Sequence, residues 1–116
     1  MLVRHRGTDQ WYLPGGKVKK KETLIDALKR EIKEEIGVSL KNESIEIFGC
    51  YSSFKEGKND HIIVFSTKNP TVLGINSIEI DACSFFSYKA LPKNISPSTY
   101  KRICEYMKKI PLSSEW

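Results

Sequence analysis

The chain has 116 residues, of which 40% are hydrophobic and 28% charged, so it suits one small globular domain over residues 1–116 and excludes a disordered chain. No apolar run approaches the ~20 residues that span a bilayer, and the opening MLVRHRG is too short and too basic for a secretory signal. The net charge of +5 suits a polyanionic partner such as a nucleotide phosphate, although lysines that only maintain solubility would give the same value.

The cysteines of the chain are Cys50, Cys83 and Cys104, and their wide spacing contains no CxxC pair of the kind found in zinc or redox motifs. We expect reduced thiols in a cytoplasmic protein, with Cys50 and Cys83 on strands. A structural disulfide is not favoured.

The first residues predict two short extended segments before a glycine pair. Met1 to Arg6 reads as the end of a strand, and a polar turn follows it. Trp11 to Leu13 forms a second extended piece, which Pro14 ends. The pair Gly15-Gly16 then allows backbone conformations and close approaches that a Cβ atom would prevent.

The next segment predicts an amphipathic helix that begins at Thr23 and ends at Gly37. Thr23 with Asp26 three residues later fits a capping box, and Gly37 fits a left-handed C-cap. At 100° per residue, one apolar stripe should face the core. The members of that stripe are Ile25, Leu28, Ile32 and Ile36.

Three carboxylates occupy another sector of the same helix. Glu31, Glu34 and Glu35 are neighbours at i, i+3 and i+4, and they flank the apolar stripe at the margin of the core. Like charges repel and partial burial disfavours ionisation, so a hard cation such as Mg²⁺ or Mn²⁺ would stabilise the arrangement. The alternative is a solvated face of Glu and Lys, with Arg30 and Glu34 as an i, i+4 pair.

The second half of the chain predicts a hairpin and then a loop. Ser44 to Phe54 and Asp60 to Thr67 read as strands joined by the polar turn Lys55 to Asn59. Lys68 to Ser77 contains Pro70 and Gly74, so it should be a loop, with an extended piece at 71–73.

The last segments predict a strand, a helix and a tail. Ile78 to Leu91 is an acidic stretch that leads into an aromatic-bearing strand. Ser96 to Lys109 is a helix with Ser96 as its cap and Pro97 in its first turn. Ile110 to Trp116 reads as a tail. The apolar stripe expected on the helix consists of Tyr100, Ile103, Cys104 and Met107.

The spacing from Gly16 to Val38 resembles the box of the Nudix (MutT-like) hydrolase family, G-x5-E-x7-R-E-U-x-E-E-x-G-U with U a bulky aliphatic residue. Every fixed position matches, with Glu22 and Arg30 in the first two charged slots and Ile32 in an aliphatic slot. The resemblance implies an α/β Nudix fold with a mixed sheet sandwiched between helices. We expect one N-terminal strand of that fold to be absent or shortened here, which would leave an exposed sheet edge; a homodimer or a truncated chain start would explain it.

The resemblance also implies roles for individual residues. It makes Glu31, Glu34 and Glu35 metal ligands together with the carbonyl of Gly15, and it pairs Glu22 with Arg30, which orients the carboxylates. Gly16 and Gly37 then support the site. Glu79 is the candidate for a further metal ligand or a general base, with an exposed loop glutamate as the alternative. The side chains proposed to meet substrate phosphates are those of Arg4, Arg6 and Lys17.

The function implied by the resemblance is Mg²⁺-dependent pyrophosphohydrolysis of a nucleoside diphosphate linked to another group, a small-molecule substrate. A second hypothesis is a catalytically weak Nudix-fold module that binds a nucleotide or a protein. A third is a basic nucleic-acid-binding domain, which is disfavoured because no basic run is long enough to form such a surface alone. No membrane partner is expected.

Overall fold

The computed structural model describes residues 1–68, 70–72 and 80–116 as two helices with short antiparallel sheets. Helix α1 spans Leu24–Ile36 and helix α2 spans Pro97–Lys108. Neither helix has the length and apolar character needed to cross a bilayer. The strands in these ranges are β1 (Leu2–His5), β2 (Trp11–Tyr12), β3 (Val38–Ser39), β4 (Ile45–Ser53), β5 (Asp60–Thr67), β6 (Thr71–Val72) and β7 (Ile80–Ser84).

Helix α1 begins and ends at the residues that the sequence predicts. The side-chain oxygen of Thr23 accepts a hydrogen bond from the backbone N–H of Asp26, which satisfies one of the free donors of the first turn. At the other end Gly37 adopts a left-handed conformation with φ of 62°. Its N–H donates to the carbonyls of Ile32 and Lys33, so the helix stops there and β3 can start at once.

The strands form three small antiparallel units in the described ranges. The first has the order β2-β1-β7, with Val3 opposite both Tyr12 and Cys83, and the others are β3-β6 and β4-β5. Isolated parallel bridges at Trp11–Ile95 and Ser52–Glu115 make the β-structure mixed. Within residues 1–68, 70–72 and 80–116, every strand except β1 has a strand neighbour on one edge only, and the exposed edge expected from a missing N-terminal strand stays a prediction.

The core is small and forms where α1 covers β1, β3 and β7. Among the stripe residues predicted for α1, Ile32 and Ile36 are buried, whereas Ile25 and Leu28 are half-buried. Ala27 is buried as well. The apolar residues of the central cluster are Val3, Ile32, Ile36, Val38, Leu40 and Ile80.

The prediction of an apolar stripe on α2 is wrong for two of its four members. Tyr100 and Met107 are 46% and 48% exposed, while the buried residues include the charged pair Arg102 and Glu105. Arg102 Nε lies 2.8 Å from Glu105 Oε1, and the Arg102 guanidinium lies over the ring of Tyr51. The buried face of α2 therefore includes an ion pair stacked on an aromatic ring, whereas the helical periodicity predicted a face of apolar side chains.

Two further predictions need correction because of long-range pairing. The end of the chain is not a free tail, since the N–H of Ser52 donates to the carbonyl of Ser114 and the N–H of Trp116 donates to that of Ser52. In addition, β7 ends at Ser84, so Phe85 and Phe86 follow the strand rather than belonging to it. The Phe86 ring packs edge-on against Trp11, which attracts it away from the strand direction.

Candidate active site

Arg30 is the hub of the acidic sector of α1. Its Nε and Nη2 donate to the two carboxylate oxygens of Glu22 at 2.7 and 2.8 Å, and its Nη1 donates to Glu31 at 2.7 Å. A longer contact of 3.4 Å joins Nη1 to Glu34, and Nη2 also donates to the carbonyl of Lys17. One guanidinium thus orients three carboxylates and ties the loop before the helix to the helix itself.

Glu22 is held as an ionised carboxylate. The side-chain hydrogen bonds from Arg30, with a backbone hydrogen bond from the N–H of Lys19, lower the pKa of Glu22 from 4.5 to about 2. The same bonds to Glu22 and Glu31 raise the pKa of Arg30 above its ordinary value. The pair therefore stays charged through the whole physiological pH range.

Gly16 makes a close approach that only glycine permits. A Cβ atom at this position would lie 2.2 Å from the Cδ atom of Glu31, well inside any real contact distance. At Gly15 the corresponding space is open. The loop backbone at Gly16 thus packs directly on the Glu31 carboxylate, so a side chain at this position would displace that carboxylate.

The three carboxylates of α1 differ in exposure. Glu31 and Glu35 are half-buried, and one carboxylate oxygen of Glu35 is buried. The side chain of Glu34 is 60% exposed, so the expectation that all three lie at the core margin is wrong for Glu34.

The donor set has the chemistry that a hard divalent cation prefers, namely several carboxylate oxygens beside a backbone loop. Three carboxylates share one guanidinium here, which leaves a locally negative site on a chain of net charge +5. As the side chains stand, no three acidic, His or Cys residues of the described ranges are close enough to hold a metal ion. The donor types therefore suit such an ion, whereas the described side chains as they stand do not enclose one.

The other predicted site residues are Lys17, Arg4, Arg6 and Glu79. The carbonyl of Lys17, rather than its ammonium group, contacts Arg30. Arg4 lies on β1 with its guanidinium 5.4 Å from the Trp11 ring centroid, and Arg6 follows β1 as an exposed side chain. Glu79 lies outside the described residues, so its role stays a prediction.

Sequence reasoning missed the backbone contacts made by Lys17 and Lys19, because backbone donors and acceptors leave no residue-type signal. It also missed the buried cluster of Arg102, Glu105 and Tyr51, in which the Tyr51 hydroxyl donates to Glu105 at 2.9 Å. The i, i+3 spacing of Arg102 and Glu105 was the available clue. Burial of the hydroxyl, together with this bond, raises the pKa of Tyr51 to about 12.

Known proteins resemble this chain in sequence and in fold. Residues 1–106 match the family described as NUDIX domain. A solved structure, the MutT NUDIX hydrolase from Burkholderia pseudomallei, superimposes with a TM-score of 0.71 at 24% identity, covering 88% of this chain and 81% of that one. At that level of identity the superposition shows the fold.

Two curated relatives match in sequence. The m7GpppN-mRNA hydrolase of Saccharomyces cerevisiae is 31% identical over 110 residues, which cover 87% of this chain and 10% of that protein. The 8-oxo-dGTP diphosphatase of Buchnera aphidicola is 61% identical over 28 residues, 24% of this chain and 23% of that protein. The chain thus spans about a tenth of the length of the yeast relative.

Proposed function

The chain belongs to the Nudix family, and from that premise we propose that it is a divalent-metal-dependent pyrophosphohydrolase. The bond cleaved is the phosphoanhydride of a nucleoside diphosphate linked to another group. The observation that carries the proposal is the Arg30 hub, which joins Glu22, Glu31 and Glu34 beside the close contact of Gly16. Three carboxylates that converge on one cation repel one another, so the arrangement suits a site that gathers further positive charge.

In this proposal the ligands of Mg²⁺ or Mn²⁺ are the carboxylates of Glu31, Glu34 and Glu35 and the carbonyl of Gly15. When bound, the ion would withdraw charge from phosphoryl oxygens and lower the pKa of a coordinated water. The half-buried Glu31 and Glu35 provide oxygens already sheltered from bulk water, where their charge acts more strongly.

Arg30 and Glu22 act as positioning residues. Arg30 offsets part of the repulsion among the carboxylates and fixes the direction of Glu31 through a 2.7 Å bond. Glu22 in turn fixes Arg30 with two bonds, so the guanidinium cannot swing toward the substrate phosphates. Outer groups of this kind keep metal ligands in the productive orientation.

The substrate class follows from charge and from the relatives. The names of the two curated relatives describe hydrolysis of a messenger-RNA cap structure and of 8-oxo-dGTP, which are both nucleotides with linked phosphates. The net charge of +5 favours such a polyanion. The products would be a nucleoside monophosphate and a phosphorylated group, or a shorter nucleotide and pyrophosphate. Arg4, Arg6 and Lys17 remain proposed phosphate contacts, and Glu79 remains the candidate for a further metal ligand or a general base.

The free thiols of Cys50, Cys83 and Cys104 favour a reducing compartment, so the proposal places this single-domain hydrolase in the cytoplasm.

A second candidate function is a Nudix module that binds a nucleotide without cleaving it. The observation that favours it is the spread of the acidic side chains, none of which form a group of three close enough to hold a metal in the described ranges. A measurement of substrate cleavage distinguishes this binding module from the hydrolase.

The test is a panel of nucleoside diphosphate derivatives, including capped dinucleotides, nucleoside triphosphates and nucleotide sugars. Product release is followed by chromatography in the presence of Mg²⁺ or Mn²⁺ and, as the control, in the presence of a chelator. Cleavage of at least one compound only with metal supports the hydrolase. Binding of a nucleotide with no cleavage of any compound identifies the binding module and contradicts the proposal.

A further inference from the structure

A short loop between the glycine pair and α1 carries four lysines. The loop spans residues 17–21, here named the lysine loop, and its fifth member is Val18. Like charges so close together repel one another, and the same lysines spread over the surface would maintain solubility with less repulsion. The lysines, all of them exposed, are Lys17, Lys19, Lys20 and Lys21.

The lysine loop is closed at both ends on Arg30. Nη2 of Arg30 donates to the carbonyl of Lys17 at 3.1 Å and to the carboxylate of Glu22 at 2.8 Å. The N–H of Lys19 donates to the same carboxylate at 3.0 Å. The loop is thus held against the guanidinium that also orients Glu31.

The ammonium groups of the lysine loop are not paired with acidic side chains. Among the residues that the structure describes, no carboxylate forms an ion pair with any of these four lysines. Glu22, the nearest acidic residue in sequence, directs both of its oxygens to Arg30, and Glu31 is bonded to Arg30 as well. Because Arg30 occupies these carboxylates, the positive charge of the loop stays available to a ligand.

Lys21 adopts a backbone conformation that lysine seldom has. Its φ is 64°, in the left-handed region. The N–H of Glu22 donates to the carbonyl of Lys19 at 3.1 Å, so residues 19–22 form a β-turn with Lys21 in third place. Glycine suits a positive φ at that place better than lysine does. A lysine there lowers stability, which is the kind of local strain that functional sites carry.

The lysine loop lies beside the acidic sector of α1 but has the opposite charge. Gly16, which precedes the loop, packs on the Glu31 carboxylate, and Glu22, which follows it, is bonded to Arg30. Helix α1 begins shortly after the loop, so the positive end of its dipole adds to the potential of the lysines, while the exposed Asp26 of its first turn offsets part of it. A substrate held at the acidic sector therefore has a positively charged surface next to it.

A diphosphate alone leaves most of this positive charge without a partner. In the proposed function the scissile diphosphate lies at the carboxylates of α1, and Lys17 is the residue of the loop that contacts it. Lys19, Lys20 and Lys21 follow farther along the loop, so they would contact groups beyond that diphosphate. Uncharged groups gain little from ammonium ions, whereas phosphates form charge-assisted hydrogen bonds with them.

We infer that the lysine loop binds a chain of phosphates that continues beyond the scissile anhydride, so that the group linked to the nucleoside diphosphate is itself a polyanion. The inference rests on the proposed function, because it starts from a diphosphate at the carboxylates. Two sources supply such a chain, a nucleotide with further anhydride phosphates and the 5′ end of an RNA. Lysines bind either as point charges, without regard to sequence. The loop is too short to hold an RNA alone and acts together with the acidic sector.

The test uses analogues with methylene groups in place of the bridging oxygens, so that hydrolysis does not interfere. The reference ligand is the methylene analogue of adenosine diphosphate. The extended ligands are the same compound lengthened by three phosphates and a short RNA with the same analogue at its 5′ end. Calorimetry in Mg²⁺ gives the affinities. We expect each extended ligand to bind about tenfold more tightly than the reference. The slope of log affinity against log salt should be steeper by about 2, since each phosphate contact adds about 0.7.

Two triple variants separate the lysine loop from net charge. The loop variant should lose the tenfold ratio between extended and reference ligands, together with the additional salt dependence. The control variant lowers the net charge equally at exposed positions of α2 and its C-cap, and it should keep both. The loop variant is Lys19→Gln, Lys20→Gln and Lys21→Gln, and the control variant is Lys101→Gln, Lys108→Gln and Lys109→Gln.

A single variant separates binding from folding. Lys21→Gly suits the positive φ of this position, so it should be at least as stable as wild type in urea unfolding. It should nevertheless lower the affinity ratio about threefold, because one ammonium group is lost. If Lys21 served the turn alone, the ratio would not change.

Two results would overturn the inference. The first is equal affinity of wild type for reference and extended ligands, and the second is the same affinity ratio in the loop and control variants. Either result leaves metal-dependent cleavage of a nucleotide intact, whereas absence of cleavage contradicts the proposed function. A tenfold ratio for the nucleotide alone supports an anhydride chain as the ligand, and a tenfold ratio for the RNA alone supports a phosphodiester chain.

Discussion

Glu22 and Arg30, eight residues apart in sequence, form a double ion pair, with Nε–Oε2 at 2.7 Å and Nη2–Oε1 at 2.8 Å. Two N–H groups of one planar guanidinium donate to the two oxygens of one carboxylate. This bidentate geometry is among the strong arrangements available to an Arg–carboxylate pair. The pair fastens the loop before α1 to the middle of the helix. The same guanidinium also donates to Glu31 at 2.7 Å, so the direction of that carboxylate depends on the pair.

The first prediction concerns the pH dependence of this pair. The pKa of Glu22 is about 2 in the folded chain and 4.5 ordinarily, so the stability it contributes is complete above pH 4.5 and is lost as pH falls toward 2. The Glu22→Gln variant should therefore be less stable than wild type at pH 6, with a difference that shrinks below pH 4.5. Urea unfolding at a series of pH values measures this difference. The Glu43→Gln change at an exposed position is the control. The prediction would be refuted if the difference in unfolding free energy between Glu22→Gln and wild type were independent of pH.

The second prediction concerns the proposed metal ligands. Glu34→Gln and Glu35→Gln should each lower Mg²⁺-dependent turnover by more than about 100-fold, since even groups behind the ligands cost about 10–100-fold. The fold should survive, because the Gln side chain has the same shape. Steady-state kinetics and circular dichroism test both points. The exposed Glu46→Gln on β4 carries the same charge change and should retain full activity; wild-type rates in both box variants would remove these residues from the site.

The third prediction uses the two adjacent glycines. In Gly16→Ala the new Cβ would lie 2.2 Å from Glu31 Cδ, so the carboxylate must move, whereas Gly15→Ala meets nothing within 4 Å. Gly16→Ala should lower Mn²⁺ affinity by about 10–100-fold, as loss of ligand orientation does elsewhere. Gly15→Ala should bind the ion like wild type, because its carbonyl is retained. Titration calorimetry with Mn²⁺ distinguishes the variants, and equal affinities would contradict the packing of Gly16 on Glu31.

The fourth prediction concerns the buried cluster of α2. Burial opposes the ionisation of Glu105, but the N–H of Ser113, the hydroxyl of Tyr51 and Arg102 together hold the pKa of Glu105 below its usual value. Glu105→Leu would leave Arg102 buried without its counter-charge and should destabilise the chain by about 3–5 kcal/mol. The double change Arg102→Met with Glu105→Leu should recover most of that loss. Chemical denaturation gives the free energy of unfolding of the single and double variants. If the losses of the two single changes simply add in the double variant, the pair is not coupled.

Much of α1 and of the hairpin could be predicted because their signals are local. The N-cap Thr23 and the C-cap Gly37 act within one helical turn, and β5 spans the predicted residues 60–67 because its apolar run is bounded by polar turns. The spacing of Glu22 and Arg30 identified the site through the family resemblance. The two hydrogen bonds between their side chains depend on how the loop before α1 folds back onto the helix. No local rule predicts the path of that loop.

The sequence alone determined the helix that carries the acidic sector, its two caps, the hairpin strands and the family, since each depends on neighbouring residues or on fixed spacing. The tertiary structure alone decided that Glu34 points outward, that Arg102 and Glu105 are buried as a pair, and that residues 114–116 pair with Ser52. Those features depend on contacts between segments far apart in the chain. The free energy of burying a charge is set by such contacts, and residue type or periodicity does not specify them.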